Sequence, residues 1–236
     1  MYNRFGRGLR LEIEGASHSE SIRITLDGVP QGIALAEEDF ERDLAQRRAG
    51  AIGTTPRTEA DKPEVEGLVA GVTTGERIAI TFRNSNTRSG DYSHLRRHPR
   101  PSHVDFVANS RWGESVDLRG SGQFSGRMTV ALVAAGVVAK KIVGSGVEFS
   151  SEIVELGGER DRNRFEEVLL DAVAEGDSVG GVVECRVKGL PIGLGEPFFD
   201  STESVISHLL FSVPAVKGVE FGSGFEGVLS VSASRQ

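Results

Sequence analysis

The sequence predicts an α+β fold with largely antiparallel sheets. Three observations predict it: neighbouring runs of alternating apolar and polar residues that suit hairpin pairing; one segment, residues 127–143, that is nearly apolar around its whole circumference; and strands and helices that follow one another irregularly rather than in βαβ repeats. The 236 residues, 38% hydrophobic and 26% charged, have the length and composition of a globular chain with a sizeable core. No low-complexity linker marks a boundary, so residues 1–236 are expected to form a single domain.

Residues 9–14 and 21–26 alternate as two strands, and Asp27, Gly28, Val29 and Pro30 supply turn chemistry after the second. Residues 37–48 place Phe40 and Leu44 on one helical face, with acids in the first turn and arginines in the last, which suits the helix dipole. Residues 77–83 read as another strand, and residues 84–101 as a long loop punctuated by glycine and proline. The alanine- and valine-rich segment 127–143 predicts a helix buried on several sides. Residues 147–156 read as a strand, followed by a charged, solvated run and a helix carrying Phe165, Val168, Leu169, Ala172 and Val173 at helical period. A strand at 181–187, a Pro/Gly-rich loop to Pro197, a helix at about 202–211 and two short strands near Val219 and Val228 complete the expectation.

A net charge of −7 argues against general nucleic-acid binding, which requires a basic surface. The single cysteine, Cys185, excludes an internal disulfide and a cysteine-based zinc site. The apolar run 130–139 is half of what a bilayer crossing requires, and residues 1–10 have no apolar signal core, so a cytoplasmic protein without membrane partners is expected.

Against the acidic total, Arg83, Arg88, Arg96, Arg97 and Arg100 face one acid, Asp91, and His94, His98 and His103 lie in or beside the same stretch. Arginine forks match phosphate and carboxylate oxygens, so the stretch is either an anion site or an exposed basic loop. His94 and His98 have the spacing of a zinc pair, but Leu95 stands where a catalytic glutamate belongs and Pro99 and Pro101 disfavour helix, so no metal site is assigned. The GxGxxG match at 222–227 precedes a strand-like segment and lacks the helix that would bind a pyrophosphate. Residues 120–127, GSGQFSGR, lead directly into the apolar helix with hydroxyls and exposed backbone N–H groups, a combination that favours phosphate.

Taken together, GASHS (15–19), DGVPQGI (27–33), the Arg47 and Arg48 pair, GVTTG (71–75), RSGDY (88–92), RPSHVD (100–105), LRGSGQFSGRMT (118–129), GDSVGG (176–181), GLPIGLGEPFFD (189–200) and SVPAVKGVEFGSGF (212–225) resemble chorismate synthase. The resemblance implies a β-α-β sandwich and the 1,4-elimination of phosphate from 5-enolpyruvylshikimate 3-phosphate, giving chorismate with reduced FMN and no net redox change. It implies His18 as general acid near the departing phosphate and His103 as the histidine attending the flavin. Arg47, Gln123, Phe124, Ser125, Pro214 and Ala215 correspond to cofactor contacts, and Ser17, Arg48, Arg100 and Arg127 to substrate contacts. NADPH as a reductant and a homotetramer are further implications. The usual GESHG, RPGHAD and GRSSARET stand here as GASHS, RPSHVD and GQFSGRMT, with Gln123, Phe124 and Met128 in place of an arginine, a serine and a glutamate. Losing that arginine predicts weaker anion binding. The family's GGIxGGIS and KPTxS segments and a late acidic residue have no counterpart before Gln236, so a shortened member is expected. A non-catalytic homologue that keeps only anion or flavin binding is the alternative, distinguished by flavin titration, and a metal-dependent hydrolase ranks last.

Overall fold

The computed structural model describes residues 2–55, 57–85 and 94–229. The expected Arg88 and Asp91, with the whole RSGDY motif, lie outside them. The chain divides into two compact units, Met1–Gly189 and Leu190–Gln236.

The first unit is built on a five-stranded antiparallel sheet, in the order β1 (Arg4–Phe5), β2 (Arg10–Gly15), β3 (Ser21–Asp27), β7 (Ile78–Arg83), β4 (Pro63–Glu66). Strand β3 buries every second residue, Ile22, Ile24 and Leu26, as a two-residue period with one covered face requires. Central β7 is buried from Ile78 through Phe82. A two-stranded ribbon, β5 (Leu68–Val69) with β6 (Val72–Thr73), intervenes in sequence between β4 and β7.

Helices α1 (Glu38–Arg47) and α3 (Thr129–Val143) complete the core: Phe40 and Leu44 of the first, and Val130, Ala131, Ala134, Ala135, Val137 and Val138 of the second, join the apolar residues of β3 and β7. Full burial of each large side chain stabilises by about 1.5–3 kcal/mol. Small residues along α3 allow close approach, and Lys140 to Asp43 and Lys141 to Asp39, both at 2.5 Å, tie the two helices at their rims. Met128 packs against this core.

Helix α2 (Asp105–Trp112) follows Arg96, Arg97 and Arg100 in sequence. It is absent from the expectation above, since its residues carry no apolar period: Asp105 and Ala108 are buried whereas Phe106 and Val107 are exposed. Ala108, Val116 and Leu118, with Val104, Trp112 and Phe124, form a second small apolar cluster. Strands β8 (Glu148–Leu156) and β9 (Gly181–Lys188) pair antiparallel around helix α4 (Phe165–Glu175) in sequence, and the charged run between β8 and α4 is exposed, as expected.

The second unit contains helix α5 (Thr202–Leu210) and a short helical turn, Gly224–Leu229. Among the described residues the strands expected near Val219 and Val228 do not form: Val219 lies in an irregular segment, and Val228 in the helical turn. Local β-propensity is outweighed there because neither short run finds a neighbouring strand among the described residues to supply its hydrogen bonds.

Candidate active site

Residues 15–19 leave the end of β2 and dock on the glycine-rich segment before α3. The Ser17 N–H donates to the Gly122 carbonyl at 3.0 Å, and Gly120 lies so close to His18 that a Cβ there would sit 2.1 Å from the ring's Cε1. On the same segment, Ser121 Oγ is 3.1 Å from His103 Nε2. Both histidines singled out from the sequence therefore touch consecutive residues of one turn, although 85 positions separate them. That turn requires left-handed backbone at Gly120, Ser121 and Gly122, with φ of 53°, 70° and 55°. A serine in that conformation carries local strain, a feature that clusters at functional sites.

His103 and Arg100 share one buried acid. Asp105, with no exposed side-chain surface, is 2.8 Å from His103 Nδ1 and accepts from Arg100 Nε at 2.7 Å and Nη2 at 2.9 Å. The Arg100 hydrogen bond holds its carboxyl down at about 2, against the cost of burial. A depressed carboxylate stabilises the fold above the ordinary value of 3.8, and that contribution is lost as pH falls towards 2. Asp105→Asn is therefore expected to cost on the order of 2 kcal/mol at neutral pH. In melts of both proteins at a series of pH values, the gap should narrow between pH 3.8 and about 2; a gap independent of pH would contradict this account.

His18 is almost buried, with Nδ1 3.3 Å from Ser17 Oγ. Burial, then Arg57 and Arg119, push its pKa below 6.5, while Asp117 and Glu59 oppose them. Arg57 straps the loop, donating to Ser17 Oγ at 2.8 Å and the Ser17 carbonyl at 2.9 Å, and pairs with Glu59 at 2.7 Å. Glu59 in turn accepts from the Ser85 N–H and hydroxyl.

A second cationic group adjoins this loop through Asn84. Its amide donates to the Ser19 carbonyl at 2.8 Å and the Ala16 carbonyl at 3.2 Å, and its Oδ1 accepts from Arg127 Nε at 3.1 Å. Arg127, buried at the foot of α3, also pairs with buried Asp61, which accepts from Arg47 Nη1 at 2.8 Å. Arg57, Glu59 and Asp61 alternate with exposed Thr58, Ala60 and Lys62, so this stretch turns three ionic groups inward together. Sequence reasoning missed all three, although that alternation of charge was the available signal.

The other expected residues are placed as follows. Arg48 pairs with Glu41 at 2.7 and 3.0 Å on the exposed side of α1, and reaches the Ala60 carbonyl only at 3.5 Å. Gln123 is exposed; the Phe124 ring packs 5.7 Å from Trp112; and Ser125 caps the turn Gly126–Met128 by accepting from the Arg127 N–H. Pro214 and Ala215 are exposed turn residues of the second unit. His94 and His98 lie in a turn, and no group of three or more potential metal ligands occurs among the described residues.

A family model described as chorismate synthase matches residues 9–235. A chorismate synthase from Chitinophaga pinensis is 54% identical over 224 residues, which cover 94% of this chain and 67% of that protein. One from Methanosarcina acetivorans is 40% identical over 95% of this chain and 68% of its own length. A crystal structure of chorismate synthase superposes with a TM-score of 0.71 at 24% identity, covering 96% of this chain and 72% of the other.

Proposed function

The chain belongs to the chorismate synthase family, lyases of aromatic amino acid biosynthesis, and on that footing we propose that it eliminates phosphate from 5-enolpyruvylshikimate 3-phosphate, with His18 and His103 as its acid–base residues. The observation that carries this reading is the turn Gly120–Ser121–Gly122, against which both imidazoles are seated. The non-catalytic alternative is not favoured by relatives of this identity.

In the elimination the C–O bond to phosphate and one ring C–H bond break, and the C–H electron pair becomes part of the new conjugated diene. The substrate carries a phosphate and two carboxylates, so the site must present fixed cations. Arg127 Nη2, Arg47 Nε and Arg48 Nε are buried and find no acceptor among the described residues. Such donors cost free energy unless an anion engages them, and they fit the oxygens of a phosphate-bearing ligand. Arg100, Arg127, Arg48 and Ser17 are the proposed substrate contacts.

Arg57 and Arg119 disfavour a protonated His18 in the free protein. A multiply charged anion bound beside them offsets both, so His18 takes up its proton with the substrate and can deliver it to the departing phosphate. Asp105 orients His103 through Nδ1, which leaves Nε2 towards Ser121 and the turn.

FMN bears a phosphate too, and of these nitrogens Arg47 Nε suits it. Arg47, Gln123, Phe124 and Ser125 are its proposed contacts in the first unit. When bound and reduced, FMN supplies the electron density that eases C–O cleavage. NADPH as reductant, a homotetrameric assembly and a cytoplasmic location belong to the same proposal. Among the described residues no helix is long and apolar enough to cross a membrane.

Purified protein with saturating reduced FMN is expected to release one inorganic phosphate per substrate consumed, with chorismate appearing at the same rate. Substrate that persists under those conditions while flavin fluorescence is unchanged would refute the proposal.

A further inference from the structure

We propose that Asp61 is a positioning residue that holds Arg47 and Arg127 as a paired anion receptor, setting both their orientation and the net charge of the site. The inference rests on the proposed function, in which Arg127 contacts the substrate and Arg47 the cofactor. Asp61 is 3% exposed and has a φ of 49°, a left-handed conformation that a non-glycine residue adopts at a cost. Its two carboxylate oxygens are divided between two arginines that approach from different elements, Oδ2 to Arg47 at the end of α1 and Oδ1 to Arg127 at the foot of α3. Asn84 fixes Nε of Arg127 from a third direction, which leaves Nη2 as the buried donor without a protein acceptor among the described residues.

Two guanidiniums this close to one carboxylate carry a net charge of +1. Without the carboxylate they would carry +2 and repel each other. A small, freely rotating anion responds mainly to that charge. A rigid substrate with three anionic groups responds mainly to orientation. Removing Asp61 should therefore move the two ligands in opposite directions, whereas a residue that only supports the fold would weaken both.

The test uses the full chain. Asp61→Asn preserves shape, and asparagine tolerates a positive φ well. Calorimetric titration with inorganic phosphate is expected to show roughly threefold to tenfold tighter binding, as one added unit charge a few ångströms away provides. Over the same comparison, kcat/KM for 5-enolpyruvylshikimate 3-phosphate is expected to fall about 10²-fold, the cost of misplacing a binding group by about an ångström. Asp61→Glu restores the charge but shifts it, so phosphate affinity should return to the parental value while turnover stays depressed. Phosphate affinity that is unchanged or weaker in Asp61→Asn overturns the inference, as does parental turnover in either variant. If Asp61→Asn does not fold, Asp61→Glu decides alone: loss of phosphate affinity there overturns it. Absence of turnover in the parent chain would count against the proposed function instead, and the phosphate titrations would still decide whether Asp61 holds the receptor.

Discussion

Replacing His18 with asparagine is expected to lower the rate of phosphate release by about 10²–10⁴-fold, the usual contribution of a positioned general acid. Asparagine keeps a polar group beside Ser17 Oγ but cannot hold a transferable proton near neutral pH. The pH dependence supplies the sharper check. Burial, Arg57 and Arg119 hold the His18 pKa below 6.5 in the free protein, so kcat/KM should fall as pH rises through that lowered value, and the variant should lose this limb. Stability should run the other way. The unfolded chain takes up a proton at His18 from pH 6.5 downward and the folded chain only at lower pH, so the His18 contribution is full above 6.5 and shrinks as pH falls through that window. Stopped phosphate assays across pH, with thermal melts on the same samples, measure both. A variant within threefold of the parent rate, or one that keeps the limb, removes His18 from the chemistry.

Gly122→Ala should be the most damaging of the single-methyl changes at the site. A Cβ on Gly122 would lie 1.8 Å from the Asp117 carbonyl oxygen, which is backbone and cannot rotate aside. With φ 55° and ψ −123° the residue also occupies a region that L side chains avoid. Overpacking and backbone strain together cost about 3 kcal/mol or more. For a chain of this size that lowers Tm by roughly 6–12 °C. Turnover should fall as well, because the Gly122 carbonyl is the acceptor that seats Ser17 and, with it, His18. Calorimetric melting decides the first point, and a Tm within 2 °C of the parent would show that the segment yields more easily than its geometry implies.

Much of the fold was legible because its elements have strong periods. The alternation in β3 and β7, the all-round apolar α3 and the helix that buries Phe40 and Leu44 each repeat one pattern long enough to exclude the others. Helix α2 and the two-residue strands were not legible, since eight residues with exposed Phe106 and Val107, or two residues alone, contain no period. At the site, the histidines and most of the arginines were recognised through motifs, whereas Asp61, Arg57 and Glu59 were not. Their partners lie far along the chain: Arg57 with Ser17, Asp61 with Arg127, Glu59 with Ser85. Arg48 shows the converse, since one helical face already offers it Glu41 seven residues away.

By itself the sequence determined which residues form the core strands and helices, because burial of one face imposes a period on the order of residue types. It determined the family as well, through motifs in colinear order from GASHS to SVPAVKGVEFGSGF. Only the tertiary structure decided that His18 and His103 share one left-handed turn, that Asp61 sits between Arg47 and Arg127, and that Asp105 stays charged in a buried position. The physical reason is that ionic and hydrogen-bonding partners are chosen by proximity after folding, and no local rule of spacing encodes a meeting between residues dozens of positions apart.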